Sequence, residues 1–478
     1  MTEKNPPYQP IYYLYFTLAA FAVFFYYHID TILHFPAQGA HIWRQSDSLA
    51  MVWNYKLFHV SFWRPEIFNL ISDNGKGVAE FPIFYYLAAQ FQQPELALRT
   101  IHFSFLFFGL MDIFILAYYY LKNLFYALAV AGFIASSPLL IYYGTSFIID
   151  VPAFFFAMMA WSVFFTKSHL KYGILFSLVL FSFASLLKAV HLLNFIPLIF
   201  ILFQEKQLSK KRIAQLLIVI AVPLSWYGYA KWFNAMHHND YLFLSVQPIF
   251  QMSFYDIGLA AWRIIVSWSS IYFWRPTSIL LIIFLIYVLK KKSCNKLYQM
   301  IFLTFLMSLL YLCLFLEKLI LHEYYYAFFY INVVFVVIGL MFFLRNLRYQ
   351  PMIRVALILF LTINIMYCKS NVYRLQDVQK IDSRLRSEAF QAFLNKNNCT
   401  LYKTVFCYDD NSVDQILCAI KRKGITQYDK NWMALLKKKQ IDFILIRSKN
   451  YSQIASQIQP KSIATFSDYL LIELSQPQ

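Results

Sequence analysis

Three carboxylates stand in surroundings where carboxylates are uncommon. Asp47 lies in HIWRQSD beside His41, Trp43, Arg44 and Gln45; Glu80 lies in GVAEFP; Asp150 lies at FIIDVP. Lys188 is the lone cation of LLKAVHLL, and His322 and Glu323 open a tyrosine run, Tyr324, Tyr325 and Tyr326. Ionisable groups at membrane depth are costly and usually mark function. A carboxylate can serve as general base on an acceptor hydroxyl, and a cation can hold and stabilise a leaving phosphate. Together, at a lipid–water boundary, such groups suit group transfer from a lipid-borne donor. No Walker A loop or glycine-rich phosphate cradle is present, so nucleotide energy is not implied. Each residue also has a plain structural reading. Asp150 with Pro152 fits a helix N-terminus. Glu80 fits an interfacial charge, Lys188 a snorkelling lysine and the aromatics an interface belt. Asp47, in the densest polar cluster, is the hardest to explain by structure alone.

Elements that span a bilayer must position these groups. Sixty per cent of the 478 residues are hydrophobic, 20% aromatic and only 14% charged, whereas a soluble domain has about 25% charged residues. The charges gather in short runs between apolar stretches of bilayer length. The net charge of +18 reads as positive-inside flanking of membrane helices rather than as a nucleic-acid surface. The six cysteines (Cys294, Cys313, Cys368, Cys399, Cys407, Cys418) form no CxxC pair and no metal-ligand spacing; Cys399 and Cys407 are the candidate disulfide. The opening MTEKNPPYQP carries no cleavable signal, and the first apolar stretch reads as an anchor.

Eleven spans are expected, near 11–29, 99–121, 124–143, 147–166, 172–188, 190–203, 212–233, 276–290, 297–316, 321–344 and 352–368, with 260–274 a further helix or re-entrant piece. One alternating set of connections holds Lys122, Lys167, Lys171, Lys206, Lys210, Lys211, Arg212, Lys290, Lys291, Lys292, Lys296, Arg345 and Arg348. The other set, 144–146, 188–190, 234–275 and 317–320, is poor in Lys and Arg, so the first set is cytoplasmic. The N-terminus is then inside, and the loop 30–98 and the tail 370–478 are outside. In the tail, 400–407, 441–446 and 469–474 read as strands and 412–422 and 431–439 as helices, with Gly424 a stop. The expected fold is an all-α polytopic bundle, residues 1–369 with its outer loop 30–98, followed by a small extracytoplasmic α/β domain, 370–478.

At these residues the sequence resembles the GT-C superfamily of membrane glycosyltransferases. It is most similar to the bacterial family 39-like branch, which includes protein O-mannosyltransferases and the lipid A aminoarabinose transferases. The resemblance rests on HIWRQSD at 41–47, EFPIFYYL at 80–87, PELALR at 94–99, SPLLIYYGTSFIIDVPAFFF at 137–156, LLKAVHLLNFIPL at 186–198 and HEYYY at 322–326. It spans about 10 to 345, and the tail is similar less specifically. The resemblance implies catalytic roles for Asp47 as base or acceptor-orienting group, for Glu80 as the second loop acid and for Asp150 as the acid opening the fourth helix. It implies that Lys188 faces the donor phosphate, and that His322, Glu323 and Tyr325 line the donor cavity. Where aminoarabinose transferases carry a lysine after the second acid, this chain has Phe81, which argues against an aminoarabinose donor and calls for another cation. Arg275, Arg263 and Lys76 are candidates by position, with Arg44 and Lys76 also in the cavity set.

The implied activity is inverting transfer of a hexosyl or pentosyl group from a polyprenyl-phosphate donor to a glycan, lipid or protein acceptor on the outer face of a bacterial inner membrane. No nucleic acid is implied, and a divalent metal is left open. Two other readings are an oligosaccharide polymerase or ligase with a lipid diphosphate donor, and a lipid or polysaccharide transporter. Transporters favour midplane charges, repeats and broken glycine helices; this chain has 11 glycines and no internal repeat.

Overall fold

Apolar runs of bilayer length fold as helices, because a backbone removed from water must satisfy its own N–H and C=O groups. The computed structural model describes residues 9–242, 248–291, 295–428, 431–438 and 440–475. Lys292, Cys294 and the first eight residues, which entered the readings above, lie outside these. In chain order the helices are α1 (Pro10–Tyr26), α2 (Ile29–Leu33), α3 (Ile42–Phe58), α4 (Ile83–Ala89), α5 (Pro94–Leu121), α6 (Leu124–Ala135), α7 (Pro138–Gly144), α8 (Asp150–Lys167), α9 (Gly173–Leu187), α10 (Phe195–Gln204) and α11 (Lys210–Met236). They continue with α12 (Phe254–Ile271), α13 (Arg275–Lys290), α14 (Lys296–Leu321), α15 (Tyr330–Arg345), α16 (Gln350–Asp377), α17 (Glu388–Lys396), α18 (Gln415–Ile420) and α19 (Trp432–Lys438). The strands are β1 (Val405–Cys407), β2 (Gly424–Thr426), β3 (Phe443–Arg447), β4 (Pro460–Phe466) and β5 (Tyr469–Leu474).

Each of the eleven expected stretches is largely helical, and 254–271 is a helix as well. Among the described residues, five helices are long and apolar enough to cross a membrane: α5, α11, α14, Glu323–Arg345 and α16. A sixth arises if α6 and α7, bent by 68° where they meet, count as one. α1, α9 and Ala189–Gln204 are apolar but shorter. The full-length spans are therefore fewer than the apolar stretches. On α16, Met352, Val355, Ile358, Leu359, Ile363 and Met366 are all exposed, a surface suited to lipid and not to water.

The chain divides into two compact units. The first comprises Met1–His34, Arg99–Tyr227 and Ser245–Leu375. In it α8 and α9 form a tight hairpin, and a Cβ on Gly173 at the turn would lie 1.8 Å from the Lys167 carbonyl oxygen. Trp161 of α8 is fully buried, packs edge-on against Phe181 of α9, and donates from Nε1 to Asn194 Oδ1 at 3.1 Å.

The second unit comprises Phe35–Leu98, Gly228–Leu244 and Gln376–Gln478. Residues 35–98, assigned above to the membrane part, thus cluster with the tail. The sheet order is β2-β1-β3-β5-β4; β1 runs parallel to β2 and β3, and β5 is antiparallel to β3 and β4. Its core holds Phe406, Ile425, Ile444, Ile446 and Ile472 together with Leu70 from the loop segment. Gly424, expected as a stop, instead opens β2. Its amide donates to the Phe68 carbonyl at 3.0 Å and its carbonyl accepts from Leu70 at 2.7 Å. Lys423 pairs with Glu66 at 2.5 Å, and Asn69 Nδ2 donates to the Val413 carbonyl at 2.7 Å. β2 and β4 escaped the sequence reading because a three-residue strand shows no alternation and β4 is mostly exposed.

The Cys399–Cys407 disulfide does not form: both thiols are free and buried. Cys407 sits in β1 between two parallel strands, and Cys399 follows α17 with its carbonyl bound by Arg422 Nε at 3.0 Å. Burial pushes the Cys399 thiol up to about 11 and holds Cys407 well above the ordinary range.

Candidate active site

Each unit carries a cluster of ionisable groups among its described residues. In the second unit, α3 places Arg44, Asp47 and Ser48 on one face, since residues three and four apart are neighbours on a helix. Asp47 is 1% exposed and Arg44 9%. Arg44 Nη2 donates to Glu80 Oε1 at 2.5 Å, and its Nη1 lies 3.8 Å from Asp47 Oδ2. Glu80 Oε1 also accepts from the Tyr85 hydroxyl at 2.7 Å, which lies 3.2 Å from Ser48 Oγ. Glu80 therefore grips Arg44 and Tyr85, and Arg44 spans the two acids.

Asp47 is held differently. Its Oδ2 accepts from the Tyr241 hydroxyl at 2.9 Å. Its Oδ1 is buried with no hydrogen-bond partner among the described residues. Burial pushes the Asp47 carboxyl up to about 7; Arg44 and the Tyr241 hydrogen bond pull it down, while Glu80 and Asp410 push it up. A carboxyl that titrates near neutrality is matched to accepting a proton at working pH. Two further acids belong to this unit. Asp410 is raised by burial against hydrogen bonds from Ser412 and the Ile416 amide, and Asp414 is raised well above the ordinary range by burial and then by Asp47. Lys76, expected in the cavity, pairs with Asp73 at 3.2 Å, whose Oδ2 also meets His237 Nδ1 at 3.0 Å.

In the first unit, Asp150 opens α8 but makes no side-chain cap; Ile149 holds the cap position. Its Oδ2 meets Lys188 Nζ at 3.2 Å. Lys188 lies where α9 ends and Ala189–Asn194 begins, in extended backbone. Asn194 steadies that turn by donating to the His191 carbonyl at 3.0 Å. Lys188 Nζ lies 5.2 Å from the centre of the Tyr325 ring and 6.0 Å from that of Tyr324. His322 stacks on Tyr324 with centroids 5.5 Å apart and meets Tyr325 edge-on at 5.7 Å. Glu323 Oε1 accepts from the Tyr143 hydroxyl at 3.1 Å. The segment before Asp150 is held from α5: Arg99 donates to the Thr145 carbonyl and lies 4.1 Å over the Phe147 ring, and His102 Nδ1 lies 2.9 Å from the Ser146 carbonyl.

Asp150, Lys188, His322, Glu323 and Tyr325 thus gather in one unit, and Arg44, Asp47 and Glu80 in the other. Arg263 on α12 and Arg275 at the start of α13 are exposed and form no ion pair among the described residues; they were chosen by position alone. Sequence reading missed Tyr241, Tyr85, Asp410, Asp414 and Tyr143. The DD pair at 409–410 after an expected strand was a usable signal, but one tyrosine among 36 was not. Among the described residues no group of three or more His, Cys, Asp or Glu is placed to hold a metal ion.

No family model and no curated protein matches the chain. Solved structures do match. ArnT from Cupriavidus metallidurans, bound to undecaprenyl phosphate, superposes with a TM-score of 0.59 at 10% identity, covering 96% of this chain and 97% of that one. The Archaeoglobus fulgidus oligosaccharyltransferase, tethered to an acceptor peptide, gives 0.52 at 11% identity over 98% of this chain and 74% of its own. The arabinofuranosyltransferase AftD from Mycobacteria gives 0.58 at 10% identity over 96% of this chain and 40% of its own. All three are GT-C glycosyltransferases. The chain therefore has the GT-C fold, a polytopic membrane fold with a small sheet domain.

Proposed function

We propose that this protein is a membrane glycosyltransferase that moves a hexosyl or pentosyl group from a polyprenyl-phosphate donor to an acceptor hydroxyl on the outer face of the membrane, with inversion. Asp47 takes the proton of the acceptor hydroxyl. The acceptor oxygen bonds to the anomeric carbon as the bond from that carbon to the phosphate oxygen breaks, and the lipid phosphate leaves carrying the electron pair. Lys188 binds that phosphate, where accumulating negative charge strengthens the contact toward the transition state. Glu80 orients Arg44, and Arg44 moderates the charge around Asp47.

The observation that carries this reading is Asp47 itself: a buried carboxyl in the second unit, steadied at one oxygen by Tyr241, with the other oxygen unengaged. The Asp150–Lys188 pair supports the donor assignment, since an ammonium held by a carboxylate among tyrosines can exchange that anion for a phosphate. The fold it shares with ArnT, which has been seen with undecaprenyl phosphate, supports a lipid-linked donor. The test is transfer from purified, radiolabelled undecaprenyl-phosphate sugars to membrane glycans by the protein in lipid nanodiscs, alongside a comparison of surface glycans with and without the gene. No difference in either experiment would end the reading. Orientation is tested separately: reporters fused after Lys122, Arg212 and Lys292 should read cytoplasmic, and those after Asn239 and Ser448 external. A cytoplasmic reading at Ser448 would overturn the outward tail.

A further inference from the structure

The second unit holds a pocket of about 600 Å³ that lies beside Asp47 yet is not needed to explain it. It opens where the parallel strands end. Asp409 and Asp410 leave β1, Tyr428 follows β2, and Arg447 closes β3. Ligands of open sheets with parallel strands bind at such carboxyl ends. Trp43 of α3 and Tyr241 complete the wall, and Tyr241 and Tyr428 meet edge-on with centroids 6.1 Å apart. The volume falls within the range of small-molecule sites, about 300–1,000 Å³, which combine aromatic walls with a few placed polar groups.

The charges of the lining narrow the occupant. Its two cations are engaged: Lys380 pairs with Asp377 at 2.7 Å, and Arg447 lies 5.6 Å over the Tyr469 ring. Three carboxylates, Asp382, Asp409 and Asp410, outnumber the two cations in the lining, which disfavours an anionic occupant. The carboxylates are also largely committed. Asp409 accepts from the Arg447 amide at 2.6 Å and from Asn450 at 2.5 Å, and Asp410 accepts from Ser412 and the Ile416 amide. Their remaining lone pairs accept hydroxyl protons without presenting a bare charge. Flat rings beside fixed acceptors suit a ring with an apolar face and a hydroxylated rim.

We propose that this pocket binds a neutral, hydroxyl-rich saccharide, the acceptor of the transfer, with Tyr241 touching that saccharide through its ring while its hydroxyl holds one oxygen of Asp47 and leaves the other for the acceptor. This rests on the glycosyltransferase reading above and adds its acceptor class: a glycan rather than a peptide or an anionic headgroup. Tyr241 is the link, since its ring lines the pocket and its hydroxyl binds Asp47.

The experiment is saturation-transfer NMR on the full chain in nanodiscs. The probes are neutral disaccharides of hexose, N-acetylhexosamine and pentose, with glucose 6-phosphate and the peptide Gly-Ser-Gly as rivals. At least one disaccharide should receive saturation, and Tyr428→Ala should weaken its binding by about tenfold, about 1.4 kcal/mol. Tyr428 is 48% exposed, so the substitution leaves the core of the unit intact; Asp409→Asn is the second variant and should weaken binding in the same direction. Lys188→Ala should leave saccharide binding as in the wild type while weakening undecaprenyl phosphate. Failure of every disaccharide, indifference to both pocket variants, or stronger binding of glucose 6-phosphate or the peptide overturns the pocket. Loss of only the undecaprenyl phosphate result would count against the donor reading and not against the pocket.

Discussion

The two ionisable clusters are built on opposite principles. In the first unit the Lys188 ammonium meets the Asp150 carboxylate at a helix junction, with tyrosine rings beside it. In the second, one guanidinium, Arg44, serves two acids, Asp47 and Glu80, and two more, Asp410 and Asp414, act on the same carboxyl or are acted on by it. The first arrangement has a cation that an incoming anion can recruit from its partner. In the second, burial raises the proton affinity of Asp47, and the neighbouring acids Glu80 and Asp410 add to it. On the proposed reading the phosphate is assigned to the first and the proton acceptor to the second.

The sharpest way to break that division is Asp47→Asn. The amide keeps the size and the Tyr241 contact but cannot take a proton, so turnover should fall by about 10²–10⁴-fold. The fall will not come from unfolding. Because the native Asp47 carboxyl is raised, the folded state holds a proton that the unfolded state releases, and stability declines as pH climbs from the ordinary aspartate range through about 7. Asparagine removes that decline, so the variant should melt at the same temperature or higher at neutral pH. More than about a tenth of wild-type turnover would place Asp47 outside the catalytic step, since base contributions rarely fall below about a hundredfold.

Lys188→Ala comes next. A charge-assisted hydrogen bond contributes about 1.5–3 kcal/mol, so donor affinity and single-turnover rate together should fall by about tenfold to a hundredfold. Lys188→Arg should recover only part of this, because the planar fork meets phosphate with different geometry. If Lys188 merely snorkels, arginine will behave as wild type and alanine will alter expression alone.

The first cluster was far more legible in the sequence than the second. Lys188 and Asp150 are isolated ionisable groups in apolar runs, and such isolation is visible without coordinates. Asp47 and Glu80 stood out in the same way, but their surroundings did not. Tyr241 sits in HHNDYLF, one of many tyrosines, and reaches Asp47 across 194 residues of chain. The second unit is assembled from three separate segments, and no local pattern announces such an assembly. Its shortest strands lack alternation, and Gly424 reads as a terminator until its backbone is seen bonded to 68–70. Charge alone does not give pairings either: Lys76 meets Asp73 three residues earlier.

Tyr241→Phe tests the hydrogen bond that steadies Asp47. That bond favours the charged carboxylate, so its loss moves the Asp47 titration to higher pH. The base works only when deprotonated. Activity at pH 7 should therefore drop a few-fold and return as pH approaches 8.5, with the midpoint displaced by less than about one pH unit, under about 1.4 kcal/mol. A loss that no alkaline pH restores would instead make the tyrosine essential to alignment.

Glu80→Gln should act in the reverse direction and more weakly. Glu80 raises the Asp47 carboxyl through repulsion, and it ranks below burial, Arg44 and Tyr241 among the influences there. The glutamine carbonyl can still accept from Arg44 and Tyr85, so the local architecture survives while one negative charge disappears. Arg44, released from a full counter-charge, then favours the Asp47 carboxylate more strongly. Both effects lower the Asp47 titration, and the acid limb of the pH–rate profile should move to lower pH. At neutral pH the rate should change by less than about threefold, under about 0.7 kcal/mol. The bland reading of Glu80, an interfacial charge without a role, predicts an unmoved profile. A catalytic proton transfer by Glu80 itself predicts a loss of about a hundredfold or more. Only the arrangement in which Glu80 holds Arg44 against Asp47 predicts a small displacement opposite in sign to that of Tyr241→Phe. Profiles of the two variants measured on one preparation of donor and acceptor decide among the three.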